Sequence, residues 1–364
     1  MSIFRRELAN LKEYVPGKPI EDVMKDYGLT SIVKLASNEN PLGPSKKAIE
    51  AIKREAENIH LYPDGAALEL RQKLADNHDL ELDQVLIGSG GEQILKLIAH
   101  TLVNEGDEVI FGAPSFALYD IMSSHIGAKC ISLPLTEEFK HDLKAFEEHI
   151  NEKTKIVYIC NPNNPTGNIM PKPELLEFID KLPESVVLML DEAYFEYAIH
   201  DPEYLDGLDV LKNRPNTIIL RTFSKVAGLA GLRIGYCFSS VEIIKEMNKI
   251  KGVFNANRIG QAAALASLDD VEHIKNTVAL NKKSLDLMRD YFNAHNMIYI
   301  ESHTNFIFVN INTSSKEAYI ELQKRGVIIR PGFLWGFENW IRISSGTIEQ
   351  TEIFLKALDE VTNL

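Results

Sequence analysis

Five apolar runs, each breaking off into a turn of glycines or polar residues, constrain this chain more than any other feature. They are Val85–Ile87, Val109–Phe111, Lys155–Cys160, Val186–Leu190 and Ile218–Leu220. Short apolar runs bounded by turn signals read as buried strands. Three positions in the turns, Asn164, Asp191 and Lys225, lie 191 − 164 = 27 and 225 − 191 = 34 residues apart. That spacing leaves room for a helical crossover between parallel strands. Strands joined this way predict an α/β fold, a mostly parallel sheet flanked by helices. In such sheets ligands sit beyond the carboxyl ends of the strands. The turns at 89–92, 164, 191 and 225 are therefore expected along one edge.

The length, 364 residues, suggests two closely packed domains. We expect an N-terminal arm over 1–45, a large domain over 46–245 and a smaller α/β domain over 246–364. Within the last, Met297–Ile300, Asn305–Asn310, Val327–Arg330 and Trp340–Ile343 read as strands. The net charge is −13, and no basic stripe offers itself to nucleic acid. No apolar run approaches the ~18 residues of a membrane helix. The N-terminus turns polar at once, without the apolar stretch of a secretion signal. Cys130, Cys160 and Cys237 are widely spaced, and no C-x-x-C pair suggests a metal site or a disulfide framework. A cytoplasmic protein is expected.

The turns carry the chemistry. Lys225 stands among Thr222, Ser224 and Arg233. A loop lysine is ordinarily solvated. Used as a nucleophile, it needs its pKa lowered from ~10.4. Thr222, Ser224 and Arg233 are the donors a phosphate wants. Gly90, Gly91 and Glu92 open a helix, where free N–H groups and the dipole attract an anion. The dinucleotide fingerprint is absent, because position 93 is Gln. A lysine able to hold a carbonyl compound beside a phosphate cup points to pyridoxal phosphate. Asp191, at the end of a buried strand, either meets a protonated ring nitrogen or caps the next helix. Asn164 and Tyr194 either meet a ring oxygen or serve the turns. Phe116 either lies over a flat ring or packs in the core. Arg330 and Arg342 end two short strands; arginine forks there bind a dianion, or face solvent.

The stretch Arg221-Thr-Phe-Ser-Lys225, followed by Gly231-Leu-Arg-Ile-Gly-Tyr236, resembles the lysine motif of fold-type I pyridoxal-phosphate aminotransferases. Among these it looks most like the histidinol-phosphate aminotransferases. Asn161-Pro-Asn-Asn-Pro-Thr-Gly167 and Asp191-Glu-Ala-Tyr194 extend the likeness, which covers nearly the whole chain. The resemblance implies transamination of L-histidinol phosphate with 2-oxoglutarate, giving imidazole acetol phosphate and glutamate in histidine biosynthesis. It implies Lys225 as the catalytic residue and Phe116 stacked on the pyridine ring. It implies a homodimer in which Tyr62, of Tyr62-Pro-Asp64, reaches the partner subunit's cofactor phosphate. Arg342 matches the family's carboxylate-or-phosphate arginine and Arg330 a second one. Tyr14, Asn38 and Asn305 match other substrate-side positions. The chain departs from the pattern at Gly91, Glu92 and Gln93, where relatives commonly carry an aspartate and a glutamate after the second glycine. Backbone donors survive that change; side-chain roles there stay open. An aromatic-amino-acid aminotransferase and a threonine-phosphate decarboxylase share the fold and remain alternatives.

Overall fold

The computed structural model describes residues 3–4 and 19–362. Tyr14 and most of the first 18 residues of the expected N-terminal arm lie outside them. A seven-stranded sheet runs in the order Val85–Gly88, Gly235–Phe238, Thr217–Thr222, Val187–Asp191, Thr154–Cys160, Glu108–Ala113, Lys129–Pro134. Six strands are parallel. Gly235–Phe238 alone is antiparallel to both neighbours.

Alternation along the strands decides what faces what, because successive side chains take opposite faces. Met189, Ile218 and Leu220 pack with Ile94, Leu95 and Ile98 of helix Gly90–Leu102 and with Met122 of helix Leu118–Ser124. Leu188 and Leu190 point the other way, onto Leu175, Phe178 and Ile179 of helix Lys172–Lys181. Asp191 follows Met189 and Thr222 follows Leu220 by two residues. Both therefore end on the face of helix Gly90–Leu102.

Helix Arg258–Leu268 lies beyond the boundary expected at 245, yet it packs with the large sheet. Its Ala263 and Ala264 share a cluster with Ile87, Phe223, Leu70 and Leu74. Small side chains let it sit close, and that stripe is hard to assign to a domain by periodicity.

A four-stranded antiparallel sheet has the order Arg330–Pro331, Trp340–Ser344, Phe306–Asn310, Tyr299–Ile300. Helices Val271–Ala294 and Ile348–Thr362 supply Leu285, Met288, Phe292, Phe354 and Leu358 to its core. Val33–Lys34 pairs in parallel with Val327–Ile328, and Leu35 enters the same core. From there the arm reaches the lysine turn, where Asn40 Nδ2 donates to the Val226 carbonyl at 2.8 Å. Among the described residues, no helix is long and apolar enough to cross a membrane.

Candidate active site

The carboxyl ends of five parallel strands deliver the predicted residues to one edge. Thr222, Gly235 and Gly88 lie in one row across three strands. A Cβ on Gly235 would sit 3.0 Å from the Gly90 carbonyl carbon. Glycine there lets the helix N-terminus rest directly on the strand ends. Gly90 has φ +74°, and a Cβ on it would meet Arg233 Nη2 at 2.7 Å. The Arg233 guanidinium thus lies against the first turn of helix Gly90–Leu102, where Gly91 and the exposed Glu92 follow. Thr222 Oγ1 donates to Ser224 Oγ at 3.0 Å and accepts from the Ser224 N–H at 3.1 Å. Backbone N–H groups, a guanidinium and two hydroxyls form a donor set suited to a phosphate. Gln93 braces this turn, its Oε1 accepting from the Ser89 N–H at 2.7 Å and from Asn255 Nδ2 at 2.8 Å.

Lys225 comes three residues after the strand end and is half-buried. Its Nζ donates to the Ser37 carbonyl at 3.5 Å and stands 5.6 Å from the Tyr194 ring centre. Burial, with Arg342 and Arg233 nearby, lowers its amine to about 8, although Glu39 and Asp191 pull the other way. Asp191 is buried, accepting from Tyr119 Oη at 2.7 Å and from the Ala193 N–H at 3.1 Å. Burial raises its carboxyl against those two hydrogen bonds. Tyr194 is buried edge-on to Phe306, and burial raises its phenol. Asn38 Nδ2 donates to the Tyr194 hydroxyl at 2.8 Å, and Asn305 Nδ2 donates to the Asn38 carbonyl at 2.9 Å.

Asn164 Oδ1 accepts from Arg342 Nη1, whose Nη2 donates to the Ala36 carbonyl at 2.8 Å. Arg330 stands directly opposite Arg342 on the neighbouring strand. Directly opposed residues project from the same face with Cβ atoms ~5 Å apart. Phe116 is half-buried, its ring 5.9 Å from that of Tyr119. Tyr62 stands apart. It is 76 % exposed, stacks on Phe254 at 4.5 Å, and its carbonyl accepts from Arg258 Nη2.

Three contributors were missed in the sequence. Tyr119 holds Asp191; its place three residues after Phe116, one helical turn on, was the available signal. Ser344 touches Asn38 from 306 residues away, and no local signal marks it. Arg221, on the opposite face from Thr222, is buried in ion pairs with Glu192 at 2.8 Å and Asp206 at 2.7 Å. It ties together the strand ends that carry Asp191 and Thr222.

Fold and site together define a pyridoxal-phosphate enzyme of the aminotransferase class, and the residues fit that cofactor. A phosphate donor set, a lysine amine of lowered pKa and a buried carboxylate stand at one sheet edge. The chain belongs to the family of class I and II aminotransferases, which matches residues 30–358. It is 43% identical over 359 residues to a histidinol-phosphate aminotransferase of Caldicellulosiruptor saccharolyticus, covering 99% of this chain and 100% of that one. A protein of the same name from Brevibacillus brevis is 42% identical, with 98% of each chain covered. The crystal structure of histidinol-phosphate aminotransferase from Sinorhizobium meliloti in complex with pyridoxal 5'-phosphate superposes with a TM-score of 0.90. That match has 28% identity and covers 100% of this chain and 98% of the other.

Proposed function

We propose that this enzyme transfers the amino group of L-histidinol phosphate to 2-oxoglutarate, yielding imidazole acetol phosphate and glutamate in histidine biosynthesis. The observation that carries the reading is the opposed pair Arg330 and Arg342, with Arg342 bonded to Asn164 at the edge that holds Lys225. Two arginines on paired positions of adjacent strands suit a dianion, which both the phosphate substrate and the dicarboxylate acceptor present. The names of the relatives agree with it.

Pyridoxal phosphate, when bound, supplies the electron sink for the pair released at the amine-bearing carbon. Lys225 would hold the cofactor and, once its amine is free, would move the proton off that carbon and back as base and acid. With its amine at about 8, about a tenth is neutral at pH 7, against fewer than about one in a thousand for an ordinary lysine. Gly90, Gly91, Glu92, Thr222, Ser224 and Arg233 hold the phosphate, Glu92 through its backbone. Asp191 would keep the ring nitrogen protonated, Asn164 and Tyr194 would meet the ring oxygen, and Phe116 would wall one ring face. Asn38 and Asn305 shape the substrate side.

The arm joins the small domain, and the large domain takes in helix Arg258–Leu268. The protein works in the cytoplasm as a homodimer in which Tyr62 reaches the partner's cofactor phosphate. Its three free cysteines suit a reducing compartment. Phe306 and Trp335 lie 5.2 and 5.4 Å from the Arg342 guanidinium. An activity on aromatic amino acids is the alternative reading, and the kinetics below compare it.

Steady-state kinetics with 2-oxoglutarate test the substrate. Histidinol phosphate should exceed phenylalanine, which lacks the dianion, in kcat/KM by ~100-fold or more, the difference ~3 kcal/mol of charge-paired recognition supplies. Threonine phosphate, which carries the same dianion, should transaminate more slowly because it lacks the imidazole. Carbon dioxide release from threonine phosphate without a keto acid would replace this reading with a decarboxylase.

A further inference from the structure

We propose that Asn38 is a positioning residue for Tyr194, fixing the direction in which its hydroxyl donates a proton. The inference rests on the reading that Tyr194 faces the cofactor's ring oxygen. Its basis is a chain of hydrogen bonds in which every donor meets an acceptor. The Asn38 backbone N–H can only donate, and does so to Ser344 Oγ at 2.8 Å. Ser344 Oγ then gives its single proton to Asn38 Oδ1 at 3.0 Å. The amide oxygen is thereby turned toward Ser344 and the amide nitrogen toward Tyr194, whose oxygen accepts at 2.8 Å. An NH₂ group has no lone pair to offer in return. The Tyr194 proton must therefore point away from Asn38.

Little in the chain can rotate. Asn38 and its two partners are each 2–3 % exposed. Asn38 holds φ +55°, which asparagine tolerates better than most residues. Its carbonyl is anchored by Asn305 Nδ2. The Tyr194 ring is pinned edge-on to Phe306 at 5.2 Å. The charged groups facing Tyr194 are Lys225, Arg342 and Asp191. None of them is altered below. A residue assigned to the substrate by resemblance thus spends its whole side chain on a tyrosine and a serine.

Donation to the cofactor's ring oxygen stabilises that oxygen's charge most in the deprotonated chromophore, and so lowers the pH midpoint of its visible absorption band. The test is that midpoint, titrated on holoenzyme of Tyr194→Phe, Asn38→Ala, Ser344→Ala and the double variant Asn38→Ala/Tyr194→Phe. Tyr194→Phe should raise the midpoint by between about one and two pH units, the worth of a hydrogen bond to a charged oxygen. Asn38→Ala should raise it by most of that amount, and the double variant no further than Tyr194→Phe alone. Ser344→Ala, the milder change, frees the amide to flip and should move the midpoint the same way. A merely structural Asn38 would lower thermal stability and leave the midpoint in place. The inference is overturned if Tyr194→Phe shifts the midpoint while neither Asn38→Ala nor Ser344→Ala does, or if the shifts add in the double variant. If Tyr194→Phe itself leaves the midpoint unmoved, the placement of Tyr194 at the ring oxygen falls and takes this inference with it.

Discussion

The surroundings of Lys225 oppose its charge. Burial acts first and Arg342 second, and together they bring the amine to about 8. A neutral amine is the nucleophile, so cofactor uptake by cofactor-free protein should accelerate as pH rises and level off above about 8. The sign at Arg342 follows: removing a neighbouring cation eases protonation, so Arg342→Gln should move that midpoint upward, toward ~10.4. Stopped-flow absorbance across pH measures both. An unmoved midpoint in Arg342→Gln would show that Arg342 does not act on the amine. At this scale the sequence was informative where a residue and its motif fit in one short window, as for Lys225 with Thr222 and Ser224. Asn38 was noticed but its partners were not, because Tyr194 and Ser344 lie 156 and 306 residues away. Single-chain spacing carries no information about such contacts.

Among the elements, helix Gly90–Leu102 shows how close packing makes a site. Its N-terminus sits on the strand ends because Gly235 carries no Cβ, and Arg233 reaches it because Gly90 carries none. Gly90→Ala would place a methyl group 2.7 Å from Arg233 Nη2, on a backbone of φ +74°. We expect cofactor affinity to fall at least ~10-fold, while global stability drops by about 1–2 kcal/mol, the ordinary cost of alanine at positive φ. Fluorescence titration with pyridoxal phosphate and urea unfolding separate the two effects; equal affinity would mean that Arg233 does not need this approach. The apolar runs revealed strands buried on both faces, including Val85–Gly88 at the sheet's edge. Lys129–Pro134 escaped notice, since it is a partly exposed edge strand without a continuous apolar run. The reversed direction of Gly235–Phe238 escaped too, because strand composition does not encode direction.

For the whole molecule, the remaining question is what covers Tyr62. Ile59, Leu61, Val253 and Phe254 are exposed beside it. Ile59, Leu61, Phe254 and Tyr62 border a groove of about 360 Å³ that Arg258 also lines. Clustered apolar exposure of this kind marks an interface, and in a two-fold dimer the same patch serves both subunits. Within its own chain Tyr62 contacts Phe254 and Arg258 and takes no part in the lysine cluster. The proposed exchange of Tyr62 between subunits has an arithmetic consequence. Lys225→Ala and Tyr62→Ala should each be impaired as homodimers. In a hybrid of the two, one site joins the intact Lys225 of one chain to the intact Tyr62 of the other, and the second site carries both defects. With random pairing about half the dimers are hybrids. About a quarter of all sites are then whole, and activity should rise above the mean of the parents toward about a quarter of wild type. If Tyr62 served its own chain, every site in the hybrid would keep one defect, and mixing would restore nothing. Co-refolding with native mass spectrometry to count hybrids decides between the two. Hybrids present at the expected share without recovered activity would rule out the exchange.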